Sequence, residues 1–234
     1  MTNHGSLTST AAPAKADAEA CTASDVLVIP DSPLARDVLD LVTSTESVAV
    51  ANHSVRSWLF ARLLARHRGI DLDRELAPEL LFHACVLHDI GLTDSGDRHQ
   101  RFEVDGADLA AEFLTGKGMA AKDVDAVWEA IALHTSVGIA QRLGLLTELT
   151  HLGSGIDFDL DSACITDAQA AEIHRAYPRH SSTTAMADEI IAQARRRPEK
   201  SLPYTLAAAQ IRERETPPYT TALEASANAG RWGN

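Results

Sequence analysis

His88 and Asp89 stand side by side in Ala-Cys-Val-Leu-His-Asp-Ile-Gly-Leu, residues 84–92. An imidazole and a carboxylate behind a run of apolar residues are costly to bury unless something cationic compensates them. A divalent metal does that, because both groups are good ligands for zinc, iron or manganese. One such pair is a weak signal, but His53 lies upstream in Val-Ala-Asn-His-Ser-Val-Arg, and Asp157 downstream in Gly-Ser-Gly-Ile-Asp-Phe-Asp. The order is therefore His … His-Asp … Asp. A buried hydrogen-bonded pair, or a cation at the negative end of a helix, would account for His88. Neither accounts for the acid beside it. Asp157 could also cap a helix after Gly153 and Gly155. Asp159 and Asp161 are close rivals, and the choice among the three stays open in the sequence.

The elements that must position these groups are helical. Ser32-Pro33 reads as a helix start, with a capping side chain before a proline whose missing N–H costs nothing in the first turn. Apolar residues recur at helical spacing through Leu34, Val38, Leu41 and Val42, and again through 51–67 before Gly69. A helix opened by Pro78 ends at the His88-Asp89 pair, and a Gly-, Asp- and Arg-rich loop follows over 91–103. Further helices fit 105–115 and 121–134, and shorter ones fit 137–142, 145–152 and 155–163. The rest fit 166–176, 181–196 and the stretch past Pro203 to 213. No strand alternation and no repeat is evident. The expected organisation is a mobile tail over 1–25, an all-α domain over 26–215 and a loosely packed tail over 216–234.

Composition excludes some functions. A net charge of −12 with no basic stripe argues against an extended nucleic-acid surface. No apolar run reaches the ~18 residues that span a bilayer. The first residues lack the charged and apolar parts of a secretory signal. Three cysteines, Cys21, Cys85 and Cys164, show no metal spacing. An odd count without a signal suggests reduced thiols and a cytoplasmic protein.

The flanks narrow the reading. The order His53, His88, Asp89, Asp157 resembles the HD-domain superfamily, in which such side chains come from different helices and converge on one metal. Asn-His-Ser-Val-Arg-Ser-Trp-Leu-Phe (52–60), His-Asp-Ile-Gly-Leu-Thr (88–93), Arg-Phe-Glu-Val-Asp-Gly-Ala (101–107) and Ala-Ile-Ala-Leu-His-Thr (130–135) are similar to its cyanamide hydratase-like branch. The likeness spans roughly residues 30–200. It implies an all-α HD-domain helical bundle, one divalent metal (zinc first, iron or manganese as alternatives) held by His53, His88, Asp89 and Asp157, and a small-molecule substrate. It also implies a pocket role for His134, with Glu103 as a second proton carrier and Asn52, Arg56 and Thr135 near the substrate. Asp105 reads as a helix cap, and His83 as packing. The sequence is compatible with a homo-oligomer.

The expected reaction is attack of metal-activated hydroxide on an electrophilic carbon, with hydration of cyanamide to urea as its best single form. A phosphohydrolase acting on a nucleotide or phosphate ester would use the same ligands, with Arg56, Arg98 and Arg101 as cations for the phosphate. Some nucleotidases of the superfamily carry a glutamate three residues after the motif aspartate, where this chain has Leu92. A dinuclear-iron HD oxygenase needs further histidines, for which only His99 and His134 offer themselves after Asp89 and up to 134. A binding protein that merely retains a metal is the remaining class.

Overall fold

A computed structural model describes residues 23–233. Its helices, in chain order, are α1 (Ala23–Val26), α2 (Pro33–Thr45), α3 (Val48–His67), α4 (Leu72–Glu75), α5 (Pro78–Leu87), α6 (Phe102–Gly116), α7 (Ala121–Leu133), α8 (Leu145–Ile156), α9 (Asp167–Ala176), α10 (Ser182–Arg196), α11 (Leu206–Glu215) and α12 (Ala222–Ala229). No strand occurs among the described residues. The all-α reading holds. Most of the expected tail, residues 1–22, lies outside the described residues, and residues 23–25 open α1.

The α3 helix is the central post of the bundle. Fifteen of its residues are buried, including His53, Ser54, Arg56 and Ser57, so it faces protein on nearly every side. Its start is set by Ser47, whose hydroxyl accepts from the Val50 N–H. Helix α5 is buried over Leu81–Leu87 and packs on α2, α3, α7 and α8. The main core gathers Trp58, Phe60, Leu81, Phe82, Leu87, Leu114, Ile131 and Leu149. Each large apolar side chain fully removed from water contributes roughly 1.5–3 kcal/mol.

Helix α8 corrects one expectation. It runs unbroken from Leu145 to Ile156, where the sequence suggested a break between 152 and 155. Gly153 does not stop it. A Cβ there would stand 2.5 Å from the Ser57 carbonyl oxygen and 2.7 Å from the Ala61 Cβ. The glycine lets α8 lie close against α3, which brings Asp157 beside His53. Gly91, just past the His-Asp pair, is needed for a similar reason: a Cβ would collide with the Phe102 carbonyl oxygen.

A second, smaller apolar cluster joins Val50, Phe102 and Phe158 to Met186, Ile190, Ala194 and Ala207, with Leu92, Leu206 and Leu223 packed against it. It is built largely by α10, α11 and α12. The C-terminal segment is therefore packed more closely than its sequence suggested. Thr221 and Glu224 form a reciprocal cap at the start of α12, Thr221 and Ala227 are buried, and Trp232 stacks on Phe60 with ring centroids 5.3 Å apart. The apolar positions of α12 are too few to show as a pattern until their partners are in place.

Candidate metal centre

Three side chains from two adjoining elements and one distant helix converge. His53 projects from α3, while His88 and Asp89 lie where α5 ends. All are at most 1 % exposed. The His53 and His88 Nε2 atoms are 3.2 Å apart, and Asp89 Oδ2 is 3.2 Å from the His88 Nε2 and 3.7 Å from the His53 Nε2. Among the described residues these three form a group able to hold a metal ion.

Hydrogen bonding fixes which nitrogens face inward. The His88 Nδ1 lies 2.7 Å from the Cys85 carbonyl, which can only accept, so Nδ1 carries the proton. The His53 Nδ1 lies 2.7 Å from Asp157 Oδ2 and donates to it in the same way. Both Nε2 atoms of the neutral rings are then bare lone pairs aimed at one another. Both Asp89 oxygens are buried without a hydrogen-bond partner. Two facing lone pairs and an orphaned carboxylate demand a cation between them, and the donor set suits a divalent metal. Burial lowers the His53 pKa against the raising effect of Asp157. Burial also works against charging His88, but the Asp89 carboxylate beside it prevails and raises its pKa. Burial would raise the Asp89 pKa, yet the charge of His88 holds it below the ordinary carboxylate range.

Asp157 stands differently from the other three expected ligands. Its carboxylate meets the far edge of His53, and both oxygens are engaged by Arg56, at 2.8 Å from Nε and 2.6 Å from Nη2. Arg179 Nη1 adds a contact at 2.8 Å to Oδ1. Burial opposes ionisation of Asp157, but the Arg56 charge outweighs it and holds the carboxyl well below the usual range. The rivals do not reach the cluster: Asp159 accepts hydrogen bonds from Ser162 and Arg231, and Asp161 precedes the short turn at Ser162–Cys164.

Several expected substrate contacts also move. Arg56 is fully buried and commits its guanidinium to Asp157, the Tyr177 and Pro178 carbonyls and the Ser182 hydroxyl. Asn52 donates to the Pro178 carbonyl at 2.8 Å. Neither lines the cavity over the cluster. Glu103 does not line it either. It accepts from Arg101 at 3.0 and 2.6 Å and from the Thr135 hydroxyl at 2.6 Å. Burial works to raise its pKa, but the Arg101 hydrogen bonds win and lower it. Asp105 is not a cap: it accepts from the Gln100 N–H and pairs with the buried Lys200.

His134 and Thr135 do line the cavity. His134 ends α7 as His88 ends α5, with its Nδ1 donating to the Ile131 carbonyl at 2.7 Å. Its Nε2 is 3.6 Å from Asp89 Oδ1. Burial, seconded by the charge of His88, lowers its pKa to about 4. The ring is therefore neutral near pH 7, with Nε2 as an acceptor facing the cluster.

The cavity encloses about 160 Å³. His53, His88, Asp89 and His134 form its polar end, while Phe102, Phe158 and Met186 are among its apolar walls. Phe158 stacks on His53 with centroids 4.8 Å apart. Sequence reasoning gave His151 no role, yet it lines the cavity and its Nδ1 donates to the His134 carbonyl at 2.6 Å. Its signal was present: His151, Ser154, Gly155 and Phe158 share one face at helical spacing, and all four line the cavity. Arg179 was also missed. It comes from a loop and has no pattern to announce it.

A profile of the HD domain matches residues 50–169, a stretch that contains His53, His88, Asp89, His134 and Asp157. The chain belongs to the HD-domain family. Two relatives from Saccharomyces cerevisiae, cyanamide hydratase DDI2 and cyanamide hydratase DDI3, are each 32% identical over 158 residues. Those alignments cover 62% of this chain and 68% of each relative. The similarity puts this HD-domain chain in the cyanamide hydratase-like branch and in the hydratase or hydrolase class of enzymes. HD domains bind divalent metals, and the His-His-Asp cluster provides for one here. No helix among the described residues is long and apolar enough to cross a membrane.

Proposed function

We propose that this enzyme adds water to a small uncharged molecule with an electrophilic nitrile carbon, cyanamide being the reference substrate and zinc the metal. His53 Nε2, His88 Nε2 and Asp89 would hold the ion, and three protein ligands with an open position are the pattern of catalytic zinc. When bound, such an ion supplies Lewis acidity and a water that ionises near neutral pH. Asp157 serves as the partner that fixes the tautomer and angle of His53, with Arg56 and Arg179 fixing Asp157 in turn. His134 presents Nε2 to the same space and receives a proton from the attacking water, then returns it to the nitrogen of the opened triple bond. Glu103 acts at a distance, by holding Thr135 beside His134.

The observation that carries this reading against a phosphohydrolase is the cavity wall. Among the described residues no Lys or Arg lines it. The cations that could hold a polyanion are engaged elsewhere: Arg56 on Asp157, Arg98 on Glu112 and Arg101 on Glu103. Leu92, at the position where some nucleotidases place a glutamate, packs against the second apolar cluster. The test is urea release from cyanamide by zinc-loaded protein, run beside phosphate release from nucleoside monophosphates. Urea without phosphate supports the proposal. Phosphate without urea overturns it.

A further inference from the structure

The cavity beside the metal cluster is not shaped for cyanamide alone. About 160 Å³ is close to the ~150 Å³ of an apolar cavity that admits benzene, so a molecule of only three heavy atoms would leave much of the space unfilled. That space is lined by Phe102, Phe158, Met186, Leu206 and Leu223, together with the exposed Val137.

Three of the wall residues, Met186, Leu206 and Leu223, come from α10, α11 and α12. All three lie beyond the stretch that matches the HD domain. The metal cluster belongs to the shared domain, whereas much of the apolar wall is added by the helices C-terminal to it.

We infer that the preferred substrate carries a compact apolar substituent beside its nitrile carbon, as in an N,N-dialkylcyanamide. The inference rests on the hydration reading of the site and names its substrate class. The reaction balances as one N,N-dialkylcyanamide and one water giving one N,N-dialkylurea, with nothing released. The water oxygen bonds to the nitrile carbon, one carbon–nitrogen π bond opens, and the second is replaced as that oxygen becomes the carbonyl. Both water protons end on the former nitrile nitrogen. Alkyl groups in place of the amino hydrogens fill the space along the apolar lining.

The test compares N,N-diethylcyanamide with cyanamide on the zinc-loaded full chain, and separately compares binding of N,N-diethylurea with that of urea by calorimetry. The expected result is a kcat/KM at least about ten-fold higher for the diethyl compound, the usual yield of added apolar groups in a fitted pocket. N,N-diethylurea should also bind more tightly than urea. In Leu206→Ser and Leu223→Ser, zinc content and thermal unfolding verify the fold, and the ratio of the two kcat/KM values should fall by about ten-fold. If cyanamide turns over as well as or better than the diethyl compound, the inference is overturned while the hydration reading stands. If no nitrile is hydrated, the hydration reading fails. The apolar substituent is then sustained by preferential binding of N,N-diethylurea, or overturned by equal binding of the two ureas.

Discussion

The two apolar-lined regions of this molecule treat polar groups in opposite ways. Around the cluster contributed by α3, α5 and α8, polarity is buried and, apart from Asp89 and His83, paired: His53 to Asp157, Asp157 to Arg56 and Arg179, and His88 to a main-chain carbonyl. The wall built by α10, α11 and α12 offers the cavity Met186, Leu206 and Leu223. The first region is specified by charge and hydrogen-bond direction, and little can change there without leaving a buried group unmatched. The second is specified by volume and apolarity, which tolerate substitution far better. Chemistry and selectivity can therefore vary separately in one enzyme.

The most severe break of that comparison is at a ligand. His88→Ala should abolish stoichiometric metal and with it turnover, read by elemental analysis and assay. Retained metal in that variant would move the site elsewhere. His134→Ala should leave the metal in place and lower kcat by about 10²–10⁴-fold, the usual worth of a positioned proton carrier. Loss of metal in this variant would make His134 a ligand instead.

Helix α6 is tied to the stretch between α10 and α11 by a buried ion pair, Asp105 with Lys200, both 1 % exposed. Lys200→Met would strand Asp105 in the interior. The expected loss is about 3–5 kcal/mol of stability by chemical denaturation. A loss under about 1 kcal/mol would mean that Asp105 is accommodated in the interior without its partner.

A smaller effect tests the interior of the first region. His83 on α5 is fully buried and both ring nitrogens lack a partner among the described residues, and burial lowers its pKa to about 4. Only the neutral ring is tolerated in the fold. The unfolded chain takes up the proton first, near pH 6.5, so its stabilisation is intact above that pH and is lost as pH falls toward 4. The loss should approach about 3 kcal/mol across that window. His83→Leu should remove this part of the pH dependence, measured as stability at about pH 7 and about pH 4.5. An unchanged slope would show that His83 is protonated without cost.

Adjacent residues carried much of the site in the sequence. His88-Asp89 is visible because two polar groups interrupt an apolar run, and the helix that carries them is visible because apolar residues recur along it. Such signals are local. They determined the helical class and the His-Asp centre, and the family match over 50–169 agrees with them. The packing of 216–234 was not legible, since α12 presents a short pattern whose partners lie far along the chain.

Only the tertiary structure decided how the remaining polar residues are used. Asp157, Arg56 and Glu103 are types that could bind metal, substrate or proton, and composition does not say which. The close approach of α8 to α3 at Gly153 turns Asp157 toward the outer edge of His53 and into the fork of Arg56. The first turn of α6 ties Glu103 to Arg101 and Thr135. A carboxylate takes its role from the nearest donors, and across about a hundred residues of chain, as between Arg56 and Asp157, only packing decides which donors those are.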